Sequence, residues 1–203
     1  MVKLHPSTQS WKLIKKSSLQ DKKTSLLDEE EEHAFATHVS RLYIIEFSWH
    51  VDGNILYTLL CKAIRAALML SYGIRRDVHI CFSINNLKTS LLCRGDSVKG
   101  LHVDEPSCIG FLKKLFAKRI GIGFEFIDSC LQYAYSLGLQ QLNLPLHRNI
   151  NELENSIGDC GKGFYIKVAS DGYGNTEIGL KLWNFLSITN IVLDNICYID
   201  DRS

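Results

Sequence analysis

No apolar run in this sequence reaches the roughly 18 to 20 residues that a membrane-spanning helix needs. The longest candidate, residues 55–72, is broken by Lys62 and Arg65 and reads as a buried helix. Cys61, Cys81, Cys93, Cys108, Cys130, Cys160 and Cys197 are odd in number and scattered, with no C-x-x-C pair among them. That spacing argues against a zinc site or a disulfide framework and for a reducing compartment. No G-x-S-x-G is present. Residues 158–163 (GDCGKG) lack the Lys-Ser/Thr ending of a phosphate loop, and Gly121-Ile122-Gly123 lacks the third glycine of a dinucleotide fingerprint. Arg94-Gly95-Asp96 reads as a turn. The histidines are dispersed, with His50, His79 and His102 read as core or surface residues. Hydrolase and metalloenzyme chemistry therefore has no motif to stand on.

Net charge is also nearly absent, at +1, but the average hides an asymmetry. Residues 61–120 carry 11 Lys/Arg against 4 Asp/Glu, whereas residues 121–203 carry 5 against 10. A basic middle beside an acidic C-terminal part fits either a one-sided contact with a polyanion or a solvated helix face.

The first 40 residues differ from the rest. Lys3, His5, Lys12, Lys15 and Lys16 precede an acidic run over 28–32. Such charge blocks predict a disordered tail, with an organellar transit peptide as the other reading of the acid-free start. The cytoplasm is the expected location under the first reading, and a mitochondrion or other organelle under the second.

Residues 41–203 read as one domain. Residues 42–48 (LYIIEFS) and 78–84 (VHICFSI) are apolar runs of strand type, expected as neighbouring inner strands. Between them Ile55, Leu56, Leu59, Leu60, Ile64, Ala67 and Leu68 recur at helical spacing. Residues 91–93 and 98–101 predict a hairpin around the Arg94–Ser97 turn. Helices are expected over 107–119, capped by Ser107, and over 124–137. Strands are expected over 139–144, 164–168 and 188–193. This alternation predicts an α/β fold with a mostly parallel central sheet and flanking helices.

One longer constellation remains. The helix ends in Leu70-Ser71-Tyr72-Gly73-Ile74-Arg75-Arg76-Asp77-Val78. A strand and the turn glycine Gly95 follow, then Asp104-Glu105-Pro106-Ser107 opens a helix with Lys113 and Lys114. In order and spacing, residues 41–119 resemble the TrmY family, tRNA pseudouridine N1-methyltransferases of the knotted SPOUT superfamily. The resemblance implies a SPOUT-like trefoil-knot domain, S-adenosylmethionine as methyl donor, tRNA as substrate with methylation in the T-loop, and a homodimer. No membrane partner is expected.

Site residues follow from the resemblance. Asp77 is the carboxylate expected to face the nucleobase, or else a salt-bridge partner of Arg75 or Arg76. Arg75, Arg76, Lys99, Lys113 and Lys114 are expected on phosphates. Ser170, Asp171, Gly172, Gly174 and Leu182 would hold the donor; the other reading of Asp171-Gly172 is a simple turn. The sequence departs from the family in three places. Pro106 stands where the family has arginine, and Val103 where it has proline. Lys181-Leu182-Trp183 is nearest to a Ser-Leu-Gly loop, with tryptophan in place of glycine. The alternative function is a catalytically inert RNA-binding or assembly protein.

Overall fold

The computed structural model describes residues 39–47, 53–84, 89–102, 104–143, 157, 160–171, 173–177 and 179–197. Residues 1–38 of the expected tail, Ser48, His50, Val103, Leu144, residues 158–159 and Gly172 lie outside them. The chain forms an α/β domain around a six-stranded mixed sheet.

Strands β1 (Arg41–Phe47), β4 (Val78–Ile84) and β8 (Phe164–Ser170) make the parallel centre, with β1 paired to both others. Two short strands, β2 (Met69–Leu70) and β3 (Gly73–Ile74), form a separate hairpin. Strands β5 (Thr89–Arg94) and β6 (Phe124–Ile127) extend the sheet antiparallel beyond β4, and β7 (Gln140–Gln141) pairs parallel to β8. The order is β6-β5-β4-β1-β8-β7. Both runs expected as inner strands are inner strands and neighbours, as continuous apolar segments covered on two faces should be.

Helix α1 (Gly53–Leu68) is the crossover from β1 to β4 and lies on one sheet face with α2 (Glu105–Lys118) and α4 (Leu182–Cys197). That face buries Tyr43, Ile45, Phe47, Ile80 and Phe82. Leu42, Ile44, Cys81 and Leu92 point the other way, against the short helix α3 (Cys130–Ser136). Among the described residues, no helix is long and apolar enough to cross a membrane.

Several local expectations are corrected. Strand β5 pairs with β4 and β6, not with residues 98–101, which are irregular. Residues 124–137 are not one helix: Phe124–Ile127 alternates as a strand, and Ser129 caps α3 by accepting from the Gln132 N–H at 3.3 Å. The cap of α2 is Asp104, whose carboxylate takes the Ser107 N–H at 2.8 Å. Only Gln140–Gln141 of the expected strand over 139–144 pairs as one. Residues 188–193 are helical, because Leu182, Phe185, Leu186, Thr189, Asn190 and Leu193 recur at helical spacing and are buried together. The cysteines also pair against expectation: Cys81 bonds Cys130, and Cys160 bonds Cys197.

Candidate functional site

The register of the parallel strands separates the expected site residues. Arg41 stands opposite both Val78 and Phe164, and Phe47 opposite both Ile84 and Ser170. Asp77 therefore sits at the entry edge of the sheet and Ser170 at the exit edge. A strand rises about 3.3 Å per residue, so the two lie roughly 20 Å apart. One protomer does not bring Asp77 to the loop after β8.

At the entry edge the side chains are tied into the fold. The Asp77 carboxylate accepts a hydrogen bond from the Ser40 hydroxyl, and its carbonyl accepts the Ser40 and Arg41 N–H groups at 2.9 and 3.3 Å. Arg75 places Nη1 2.7 Å from Asp194 Oδ2. Arg41 holds the other Asp194 oxygen at 2.6 Å and donates to Asn190 Oδ1 at 3.0 Å. Tyr43 donates to the same Asn190 oxygen at 2.8 Å, while Asn190 Nδ2 donates to the carbonyls of Ala66 and Ala67. This network clamps α4 against β1 and α1. Arg76 is exposed, and its Nη1 donates to the Asp96 carbonyl at 2.9 Å.

At the exit edge, the loop after β8 is closed on itself. Ser170 is buried. Asp171 Oδ1 accepts the N–H groups of Tyr173 and Asn175 at 2.9 and 2.7 Å, and Oδ2 accepts from Asn175 Nδ2 at 2.8 Å. Burial opposes the charged form of Asp171, but these donors outweigh it and hold the carboxyl below its usual range. The Leu182 N–H donates to the Gly174 carbonyl at 2.7 Å, and Thr176 N–H donates to Leu180 at 2.8 Å. These bonds join the two loops expected to open around a methyl donor. Gly174 has φ +79°, and a Cβ there would stand 2.7 Å from Leu59 Cδ2 and 3.1 Å from Trp183 Cζ3. Trp183 thus occupies the space next to the glycine.

A cavity of about 180 Å³ lies beside this loop, lined by Asn143, Val168, Thr176 and Phe185 among others. Ligand pockets begin at about 300 Å³. The donor implied by the resemblance does not fit here: the cavity is too small, and among the described residues the N–H groups of Asp171, Gly174, Thr176 and Leu182 are satisfied internally.

A larger groove of about 730 Å³ runs over the outer side of α1, between the start of α2 and the first turns of α4. Lys62, Arg65, Leu101, Glu105 and Trp183 line it, with Tyr72 at its rim. Lys62 Nζ lies 4.8 Å above the Trp183 ring and 4.0 Å from Glu105 Oε2. Behind it, a hydrogen bond from Cys108 is the main influence lowering the Cys61 thiol below its usual pKa, with burial opposing and Arg65 assisting.

The remaining expected cations, Lys99, Lys113 and Lys114, are exposed, the last two on α2. Lys113 Nζ lies 5.9 Å from the Tyr57 ring. Lys118 and Arg119 extend this basic surface and were not singled out by motif.

A second polar cluster surrounds His79. Burial depresses the His79 pKa to about 4, against an opposing pull from Asp96. The neutral ring contacts the Tyr133 hydroxyl through Nδ1 at 2.9 Å, and Nε2 lies 3.7 Å from Asp96 Oδ1. Asp96 is in turn held by Arg94 at 2.7 Å and by the Ser97 hydroxyl at 2.8 Å. The signal available in the sequence was a histidine inside an apolar strand, which is too common to single out.

Among the described residues, no group of three or more His, Cys, Asp or Glu is arranged to hold a metal ion. No protein-family model matches the chain.

Proposed function

We propose that this chain is an RNA-binding protein of SPOUT-like descent whose methyl-donor site is closed, so that it engages structured RNA, tRNA first among candidates, without transferring a methyl group. The observation that carries the reading is the Leu182-to-Gly174 hydrogen bond at 2.7 Å with Trp183 packed beside it. A donor held by backbone groups needs those groups free and the approach clear of bulk. Neither condition is met.

The RNA half of the reading is supported by charge. Lys99, Lys113, Lys114, Lys118 and Arg119 are exposed, and among the described residues none has a carboxylate within ion-pair distance. Arg75 leaves this set, since Asp194 holds it. A second copy is the proposed protein partner, supported by the exposed isoleucines Ile188 and Ile191, three residues apart on α4.

The test is equilibrium binding of the full chain to tRNA across a salt series. Each phosphate neutralised in a duplex contributes about 0.9 to the log–log slope, so a slope of several is expected. Replacing both Lys114 and Lys118 by alanine should reduce it by about 1 to 2. A flat salt dependence would remove the RNA reading. Methylation of pseudouridine in the tRNA T-loop is the alternative, and it requires the Gly174 and Leu182 loops to separate.

A further inference from the structure

The loop that leaves α2 displays two isoleucines to solvent. Ile120 is 78% exposed and Ile122 60% exposed. Large aliphatic side chains scattered singly on a surface need no explanation, but these flank one glycine on a loop that is firmly held. Gly121 faces inward: a Cβ there would stand 2.8 Å from Leu115 Cδ1 and 3.4 Å from Phe124 Cδ2. Three backbone hydrogen bonds pin the segment. Lys99 N–H donates to Ile122 at 3.2 Å, Phe124 N–H to Gly121 at 3.1 Å, and Arg94 N–H to Gly123 at 2.8 Å. Arg119, in the left-handed region at φ 53°, closes the helix and turns the chain outward. Isoleucine is stiff at χ1, so the tip needs little ordering on contact.

Exposed cations lie on the chain next to the tip, with the Arg119 guanidinium 4.9 Å from the Phe126 ring. Lys114 and Lys118 lie one turn apart at the end of α2, Arg119 precedes Ile120, and Lys99 is hydrogen-bonded beside Ile122. An apolar point beside exposed cations is complementary to a partner that has an anionic surface and an apolar interior reached through a narrow opening.

We propose that Ile120 and Ile122 form a wedge that enters a base step of a helical RNA while the neighbouring cations hold the flanking phosphates; this rests on the RNA-binding reading above. Apolar side chains used this way partly unstack neighbouring bases, and cations carry the contact to the backbone. The A-form minor groove is wide and shallow, so a convex tip reaches the bases from that side. The two isoleucines are two residues apart and so separated by at most about 7 Å, close enough to act on neighbouring bases. A bilayer fits less well. Two isoleucines present fewer apolar carbons than a single myristoyl chain, which alone anchors only marginally.

The test uses the full chain and a stem–loop RNA with 2-aminopurine in its stem. Wild-type protein should raise the probe's fluorescence as its neighbours unstack. Ile120→Ser with Ile122→Ser should abolish that rise and weaken binding about tenfold, leaving the salt slope unchanged. The Ile120→Leu, Ile122→Leu pair should restore both. Lys114→Ala with Lys118→Ala should lower the slope by about 1 to 2 while keeping a rise at saturation. RNA binding with the serine pair indistinguishable from wild type would overturn the wedge and leave the RNA reading standing. Absence of RNA binding by the wild type would overturn both. Binding to mixed phosphatidylserine–phosphatidylcholine vesicles that depends on the isoleucines, with no fluorescence rise on RNA, would reassign the surface to lipid.

Discussion

Arg75 and Asp194 form an ion pair at 2.7 Å that joins the segment before β4 to the last turns of α4. Asp194 also holds Arg41, whose side chain is only 3% exposed. One carboxylate therefore bridges two guanidinium groups, one of them buried. The resemblance assigned Arg75 to an RNA face; its geometry is that of an internal strut.

Removing Asp194 leaves the Arg41 charge buried and without its partner, and breaking a buried pair costs about 3–5 kcal/mol. Asp194 is 29% exposed, so water recovers part of that. Asp194→Ala should lose about 2–3 kcal/mol in urea unfolding, and Arg75→Ala less. Neither should change the salt slope of RNA binding. A reduced slope with Arg75→Ala in a stably folded protein would return that residue to the RNA face.

His79 gives stability a pH dependence. Its folded pKa is about 4 against an ordinary 6.5, so the unfolded chain binds the extra proton between those values. Stability is then full above about pH 6.5 and falls as the pH drops through 4, by on the order of 3 kcal/mol for complete protonation. Tyr133, Asp96, Arg94, Asp77 and Glu125 act on the ring, and the three carboxylates oppose the loss. His79→Gln should flatten the difference in unfolding free energy between pH 7 and about pH 4. Equal pH dependence in both proteins would contradict this account of the site.

How much of this was legible in the sequence depends on the element. The strands Arg41–Phe47 and Val78–Ile84 could be read because both faces are covered, leaving a continuous apolar run. Residues 188–193 could not, because their β-branched run imitates a strand while the helical stripe includes the buried polar residues Thr189 and Asn190. Asn190 reads as a surface residue until its partners Arg41, Tyr43, Ala66 and Ala67 are seen, and all lie more than 100 positions away. Arg75 and Arg76 look alike in sequence, yet one pairs internally and the other is exposed. Trp183 could be picked out because a large side chain stands where the resembled family has glycine, and its ring lies against Gly174.

The cysteine pairing is open to a count. Cys81–Cys130 and Cys160–Cys197 close loops of 49 and 37 residues in sequence separation, each of which would contribute about 2–4 kcal/mol. Thiol titration of the denatured, unreduced chain should find three groups, those of Cys61, Cys93 and Cys108. Reductant should lower the melting temperature. A count of seven with no effect of reductant would show that the pairs stay reduced.

Gly174 is the sharpest local probe of the loop. A side chain there meets both the positive φ and the contacts with Leu59 and Trp183, so Gly174→Ala should cost about 1–3 kcal/mol. Combining it with Trp183→Ala should recover part of the loss, since one of the two contacts is relieved. Additive effects would place the indole elsewhere.

The proposed closure of the donor site by Trp183 and by the Leu182-to-Gly174 bond is open to calorimetric titration of S-adenosylmethionine into the full chain. No saturable heat is expected, with any dissociation constant weaker than about 1 mM. A saturating isotherm at about 10 μM or tighter, with one site per chain, would contradict it and establish that the two loops open around the methyl donor.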